Sequence, residues 1–193
     1  MDLTQGSHQH KAGRAKKMML WFGIISMAMM FAGLTSAYVV SKNRPDWLSD
    51  LQLPDAFYWS TIVIFLSSIT IYLAEKAVKK DNRGAATGLL WATLGLAAVF
   101  IFLQFQSFSA LISEGYYFTG SESTVTTSFI YVVVLAHLAH LAGGIVVLLV
   151  LIYNHFKQKY RPGQTLGLEL GATYWHFVDA LWIYLFFFLY FFR

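Results

Sequence analysis

TYWHFVDALWIYLFFFLYFF, residues 173–192, is an apolar run of membrane quality interrupted by His176 and Asp179. A charged carboxylate near the bilayer centre costs roughly 2.5–3.5 kcal/mol even on lenient insertion scales, so Asp179 needs a partner or a purpose. About 20 such residues are enough for a helix to cross a membrane, and helix is the form whose backbone satisfies itself in hydrocarbon. The fold therefore turns on whether the rest of the chain reads the same way.

Composition says that it does. Of 193 residues 57% are hydrophobic and 12% charged, against about 25% charged in soluble domains. The apolar runs, the opening one included, cover residues 18–41, 56–78, 85–111, 124–154 and 167–192, each long enough to cross a core of about 30 Å. The fold class is all-α: a polytopic membrane protein of five transmembrane helices. Residues 1–17 are expected to form a cytoplasmic arm, and residues 18–193 the five-helix membrane domain. The first run continues too far for a cleavable signal, whose apolar core is about 7–15 residues.

Charge orients the bundle. Lys11, Arg14, Lys16, Lys17, Lys76, Lys79, Lys80, Arg83, Lys157, Lys159 and Arg161 place eleven of the fourteen Lys and Arg on one side. Lys42, Arg44 and Arg193 lie on the other, together with Asp46, Asp50, Asp55, Glu114 and Glu122. By the positive-inside rule the N-terminus is cytoplasmic and the C-terminus outside. The formal charge of +4 thus reflects loop topology, and no nucleic-acid partner is expected. The absence of cysteine removes disulfides, iron–sulfur clusters and thiolate metal sites. The linkers SKNRPDWLSDLQLPD (41–55) and NHFKQKYRPGQTLG (154–167) carry Pro45, Pro54, Pro162 and Gly163 as breakers. His8 and His10 read as part of a disordered arm.

Asp179 lies about 20 Å along the fifth span, with His176 one turn earlier on the same face. The fourth span carries LAHLAHLAGG (135–144), which places His137 and His140 on one face at a similar depth. These pairs suggest a buried His–Asp network between spans four and five. Gly143 and Gly144 would let the two backbones approach. Three readings stand: a structural clamp, a proton or lipid-headgroup site, and a metal or haem site. Two His on one helix face cannot ligate opposite sides of a haem iron, and nothing supplies an open catalytic position. Glu169 falls at the cytoplasmic interface.

The remaining features are ordinary for a membrane helix bundle. Met18, Met19, Met27, Met29 and Met30 read as apolar filling. Trp21, Trp47, Trp59, Trp91, Trp175 and Trp182 read mostly as an interfacial belt. Glu75 and Lys79 form an i,i+4 pair, and GAATGLLWATLGLAA (84–98) is small-residue packing with no strand before it.

GLELGATYWHFVDALWIYLFFFLYFF (167–192) closely resembles the final helix of subunit III of haem–copper oxidases. HLAHLAGG (137–144) resembles the two-His helix that precedes it, and MMLWFGIISMAMMFAGLTSAYVV (18–40) the first helix of the short, five-helix bacterial forms. The matched positions are His137, His140, Glu169, Tyr174, Trp175, His176, Asp179 and Trp182. The resemblance implies a non-catalytic subunit of a cytochrome c or quinol oxidase in a bacterial inner membrane. Haem and copper would sit in partner subunits. The chain would pack against catalytic subunit I, bind phospholipid, and support proton uptake and resistance to turnover inactivation. One departure is Met27, which stands where the family often carries a carboxylate. The rivals are an accessory subunit of a nitric oxide reductase and a small proton-coupled transporter; for the latter no clear inverted repeat is visible.

Overall fold

The computed structural model describes residues 8–45, 47–48, 53–120, 123–160 and 165–192. Five helices carry the fold: α1 (His8–Val40), α2 (Asp55–Lys79), α3 (Arg83–Ser113), α4 (Val125–Phe156) and α5 (Leu166–Phe192). Among the described residues there is no strand, and each of the five is long and apolar enough to cross a membrane. The spans read from hydropathy coincide with α2 to α5 to within two residues at each end.

The N-terminus differs. α1 starts at His8, ten residues before the expected 18, so much of the stretch assigned to an arm is helical. Lys11, Ala12, Arg14, Ala15, Lys16 and Lys17 are strong helix formers with no breaker among them except Gly13, so the span continues into water. The side chains of His8 and His10 lie outside the described residues, as do Asp46, Asp50, Glu122, Arg161, Pro162, Gly163 and Arg193.

Three helices end by the same device. The N–H groups of Asn82, Tyr116 and Lys159 reach back to the carbonyls of Ala77, Leu111 and Asn154. In each case the residue before is left-handed: Asp81 (φ 56°), Gly115 (φ 85°) and Gln158 (φ 53°). This six-to-one bond satisfies carbonyls that a helix end otherwise leaves open. At its other end, α4 opens with a capping box between Thr124 and Thr127.

α2 and α3 form the tightest pair. The inward positions of α2 are Phe57, Ser60, Ile64, Ser67, Ile71, Ala74 and Val78, and those of α3 include Leu90, Thr93, Ala97, Phe100, Gln104 and Ser107. Both sets advance by alternating steps of three and four, the pattern of left-handed coiled-coil packing. α5 is the hub: it packs on α1, α2 and α4, and it is the most buried of the five helices. α1 touches α4 and α5 and is the least buried of the five helices. The close approach of α4 and α5 rests chiefly on Gly171, where a Cβ would stand 2.6 Å from Leu151 Cδ1. Gly144 is next, with Trp175 and Tyr174 at 3.3 Å, whereas Gly143 faces only the Tyr174 hydroxyl at 3.5 Å.

Candidate functional site: the polar interior around the fifth helix

In hydrocarbon each buried donor must find an acceptor inside the protein. α5 offers three ring nitrogens to α2, and α2 answers with three hydroxyls. Trp182 Nε1 donates to Thr61 Oγ1 at 3.2 Å, Trp175 Nε1 donates to Ser67 Oγ at 2.9 Å, and His176 Nδ1 pairs with Ser68 Oγ at 2.5 Å. The two Trp pairs, Trp182–Thr61 and Trp175–Ser67, run in opposite chain directions, so they fix the antiparallel register of the two helices. Further out, Gln104 Nε2 of α3 donates to Ser60 Oγ at 2.9 Å, and Thr70 pairs with Thr93 at 2.8 Å. The α2 face is thus a hydroxyl ladder read by α5 on one side and α3 on the other.

This arrangement corrects two expectations. Trp175 and Trp182 are not interfacial: they are 2% and 0% exposed and belong to the core. The His–Asp network between α4 and α5 is not made by hydrogen bonds either. His176 turns instead to α2, because Ser68 is the hydroxyl that meets its Nδ1. His140 Nδ1 donates to its own helix at Ala136 O, 2.7 Å away, and its carbonyl accepts the Tyr174 hydroxyl at 2.9 Å. His137 is fully buried between Phe100 and Trp182, with ring centroids 5.9 and 5.0 Å away, and neither ring nitrogen has a hydrogen-bond partner. Asp179 is 1% exposed and both carboxyl oxygens are likewise unpartnered. Of the four residues only His176 bonds a side chain of another helix, and α2 supplies it, while α4 meets α5 through the Tyr174 hydroxyl on the His140 carbonyl.

Glu169 occupies the other end of α5. Its carboxylate accepts from Thr165 Oγ1 at 2.8 Å and faces Lys79 Nζ at 3.5 Å and Lys17 Nζ at 3.9 Å. Lys79 also bonds Glu75. One acidic side chain thereby ties α1, α2 and α5 at a single level. Beside it an apolar groove of about 380 Å³ opens between α1, α4 and α5, with Leu20, Val147, Val150, Leu170 and Tyr174 in its walls. Met27 on α1 is half-buried. Among the described residues no three His, Cys, Asp or Glu converge as metal ligands.

The hydroxyls Thr61, Ser67 and Ser68 were not singled out from the sequence. Their signal is a spacing of seven, with Ser60 and Ser67 on one face and Thr61 and Ser68 on the next.

Comparison with known families decides the assignment. The model of the family "Cytochrome c oxidase subunit III" matches residues 2–193. The chain belongs to the cytochrome c oxidase subunit III family. A cytochrome c oxidase subunit 3 from Thermostichus vulcanus is 29% identical over 95% of this chain and 90% of its own length. A probable cytochrome c oxidase subunit 3 from Nocardia farcinica is 31% identical, over 87% and 83%. A cytochrome bo(3) ubiquinol oxidase subunit 3 from Pseudomonas aeruginosa is 27% identical, over 93% and 86%. The resemblance read from α1, α4 and α5 is borne out, and among subunit III chains the relatives serve terminal oxidases with either donor in their names.

Proposed function

We propose that this chain is the non-catalytic subunit III of a bacterial terminal oxidase, with its N-terminus in the cytoplasm and its C-terminus outside. It packs against catalytic subunit I in the inner membrane, while haem and copper reside in the partner subunits. The observation that carries this reading is where the motif residues stand. Tyr174, Trp175, His176, Asp179 and Trp182 all lie on α5, the helix on which three others pack, and four of them face buried helix contacts rather than an open cleft. Their role is to fix helix register and so present a rigid face to the partner.

The apolar groove beside Lys17 and Glu169 supports a second part of the reading. Its walls suit an acyl chain, and Lys17 stands one turn before the lining residue Leu20 on α1, so we assign the groove to a phospholipid that stays with the subunit. The basic inner edge carries the same preference.

The test is a mild-detergent pull-down of this chain from native membranes, read by visible spectroscopy and mass spectrometry together. Recovery with a haem-bearing, many-helix partner that reduces oxygen is the expected result. A partner that reduces nitric oxide instead would move the function to that enzyme. Recovery of the chain alone and colourless would overturn the oxidase reading and return Asp179 to the transporter alternative.

A further inference from the structure

His176 stands about 15 Å along α5 from Leu166, and Ser68 about 17 Å from the Lys79 end of α2. Both lie deep within a hydrocarbon core of about 30 Å. Ser68 Oγ holds the imidazole through Nδ1. The other ring nitrogen, Nε2, has no partner among the described residues, and the ring is only partly buried. That sets it apart from His137 and Asp179, whose unpartnered atoms are closed inside the bundle. Lipid tails offer neither donor nor acceptor, so a polar side chain at this depth faces protein or a water-filled cavity. Anchored at Nδ1, the ring cannot swing to the headgroups.

The surroundings give this face its shape. α2 meets α5 through Trp175, His176 and Trp182, and α1 meets it at Tyr184, whose hydroxyl pairs with Thr35. Between these two contact lines α5 shows Thr173, Ala180 and Phe187, which share the His176 face at steps of three, four and seven. Ala180 and Phe187 are exposed and Thr173 partly so. Ala180 is small, so a neighbouring helix can approach closely one turn from the imidazole. Toward the Leu166 end, Glu169 faces Lys17 of α1 and Lys79 of α2 and closes the face. The other partly buried imidazole, His140, lies against Phe31 of α1, with ring centroids 5.6 Å apart in the α1–α4 seam.

We propose that the α5 face between α1 and α2 is the docking surface for a transmembrane helix of the partner subunit, which sets a hydroxyl or carboxamide side chain against His176 Nε2. Such a group both gives and accepts a hydrogen bond, so it matches either tautomer of the ring. The inference rests on the chain being a subunit of a membrane complex, and it names the face by which the chain is held.

Photocrosslinking of the full chain in native membranes tests it, with benzoylphenylalanine placed singly at Ala180 or Phe187. Phe102 of α3 and Leu135 of α4, both exposed, are the control positions. Mass spectrometry is expected to find transmembrane peptides of one partner protein joined at 180 and 187, and lipid or nothing at 102 and 135. His176→Phe keeps a ring and removes Nε2; it is expected to lower retention of that partner through a detergent wash by about three- to fifteen-fold. Lipid alone at position 180, which needs no variant of His176 to assemble, would overturn the docking face. So would retention unchanged in His176→Phe, or a partner reached only from 102 or 135. A partner joined at 180 that carries no haem would instead keep the face and remove the oxidase reading, so the two failures are distinct.

Discussion

Trp175 donates its indole N–H to Ser67 Oγ across 2.9 Å in the closed interior between α5 and α2. Ser67 sits one heptad from Ser60 on the inward face of α2, so the bond falls in the seam itself. Removing the acceptor leaves a buried indole N–H without a partner, which costs about 1–3 kcal/mol in water-soluble cores. Interhelical hydrogen bonds in membranes average about 0.6 kcal/mol by mutant cycles and reach about 1.7. Ser67→Ala is therefore expected to destabilise the detergent-solubilised bundle by about 1 kcal/mol. A double-mutant cycle with Trp175→Phe checks it; a coupling of zero would mean the bond fixes nothing.

The contact at Gly171 gives the second prediction. A methyl group there would stand 2.6 Å from Leu151 Cδ1, closer than packed carbons tolerate. Overpacking of this kind costs about 1–3 kcal/mol. Gly171→Ala is expected to lower the thermal midpoint, and Leu151→Ala in the same chain to recover part of the loss. Gly143→Ala, with the Tyr174 hydroxyl at 3.5 Å, is the control and is expected to be close to neutral.

The cluster around Glu169 makes a weaker, salt-sensitive contribution. Lys17 and Lys79 are about half exposed, so water screens both pairs. Exposed pairs of this kind are worth about 0.2–1 kcal/mol. Glu169→Gln is expected to destabilise within that range at low salt and by less at high salt. A loss that salt leaves unchanged would mean the carboxylate acts through Thr165 alone.

Tyr160, outside the spans, offers a pH dependence with a definite sign. Burial raises its phenol above the ordinary value of about 10, and the side-chain amide of Asn154 offsets this only in part. The folded protein then holds the phenol proton at pH values where the unfolded chain has lost it. Its contribution is complete below the ordinary tyrosine value and is lost as pH rises through the raised one. Tyr160→Phe is expected to flatten the alkaline limb of the stability curve; an unaltered limb would refute the account.

Asp179→Asn separates structure from catalysis at the level of the complex. It is expected to leave the haem spectrum of the co-purified partner unchanged while weakening retention of this chain or its lipid. Visible spectra and subunit stoichiometry read both at once. Loss of haem would contradict a non-catalytic role.

The five spans were legible because length and hydropathy alone decide what crosses a membrane. The partners of the polar residues were not. In a soluble helix the inward face is marked by its contrast with a polar outer face, but here both faces are apolar and the contrast vanishes. Spacing on one helix placed His176 and Asp179 on a common face, and the choice of α4 as their partner followed from its two histidines. Hydroxyls carry almost no weight in a hydropathy count, so Ser67, Ser68 and Thr61 were passed over, although they take the bonds. Trp175 and Trp182 misled for a related reason. Tryptophan favours the interface because its N–H wants water, and inside this bundle two serine and threonine oxygens stand in for it.

The hub position of α5 bears on how the subunit is made. α5 follows the other four helices in the chain, and they meet one another mainly through the α2–α3 pair, the α3–α4 contact and a few contacts of α1 with α4. During synthesis α2 therefore enters the lipid with Thr61, Ser67 and Ser68 lacking the rings they will serve, and α1 with one sparse contact to lean on. The contacts that α5 makes with α1, α2 and α4 are available only once this last of the five helices has been synthesised. A chain ending before residue 166 would lack the helix on which three others pack and every ring that the α2 hydroxyls serve.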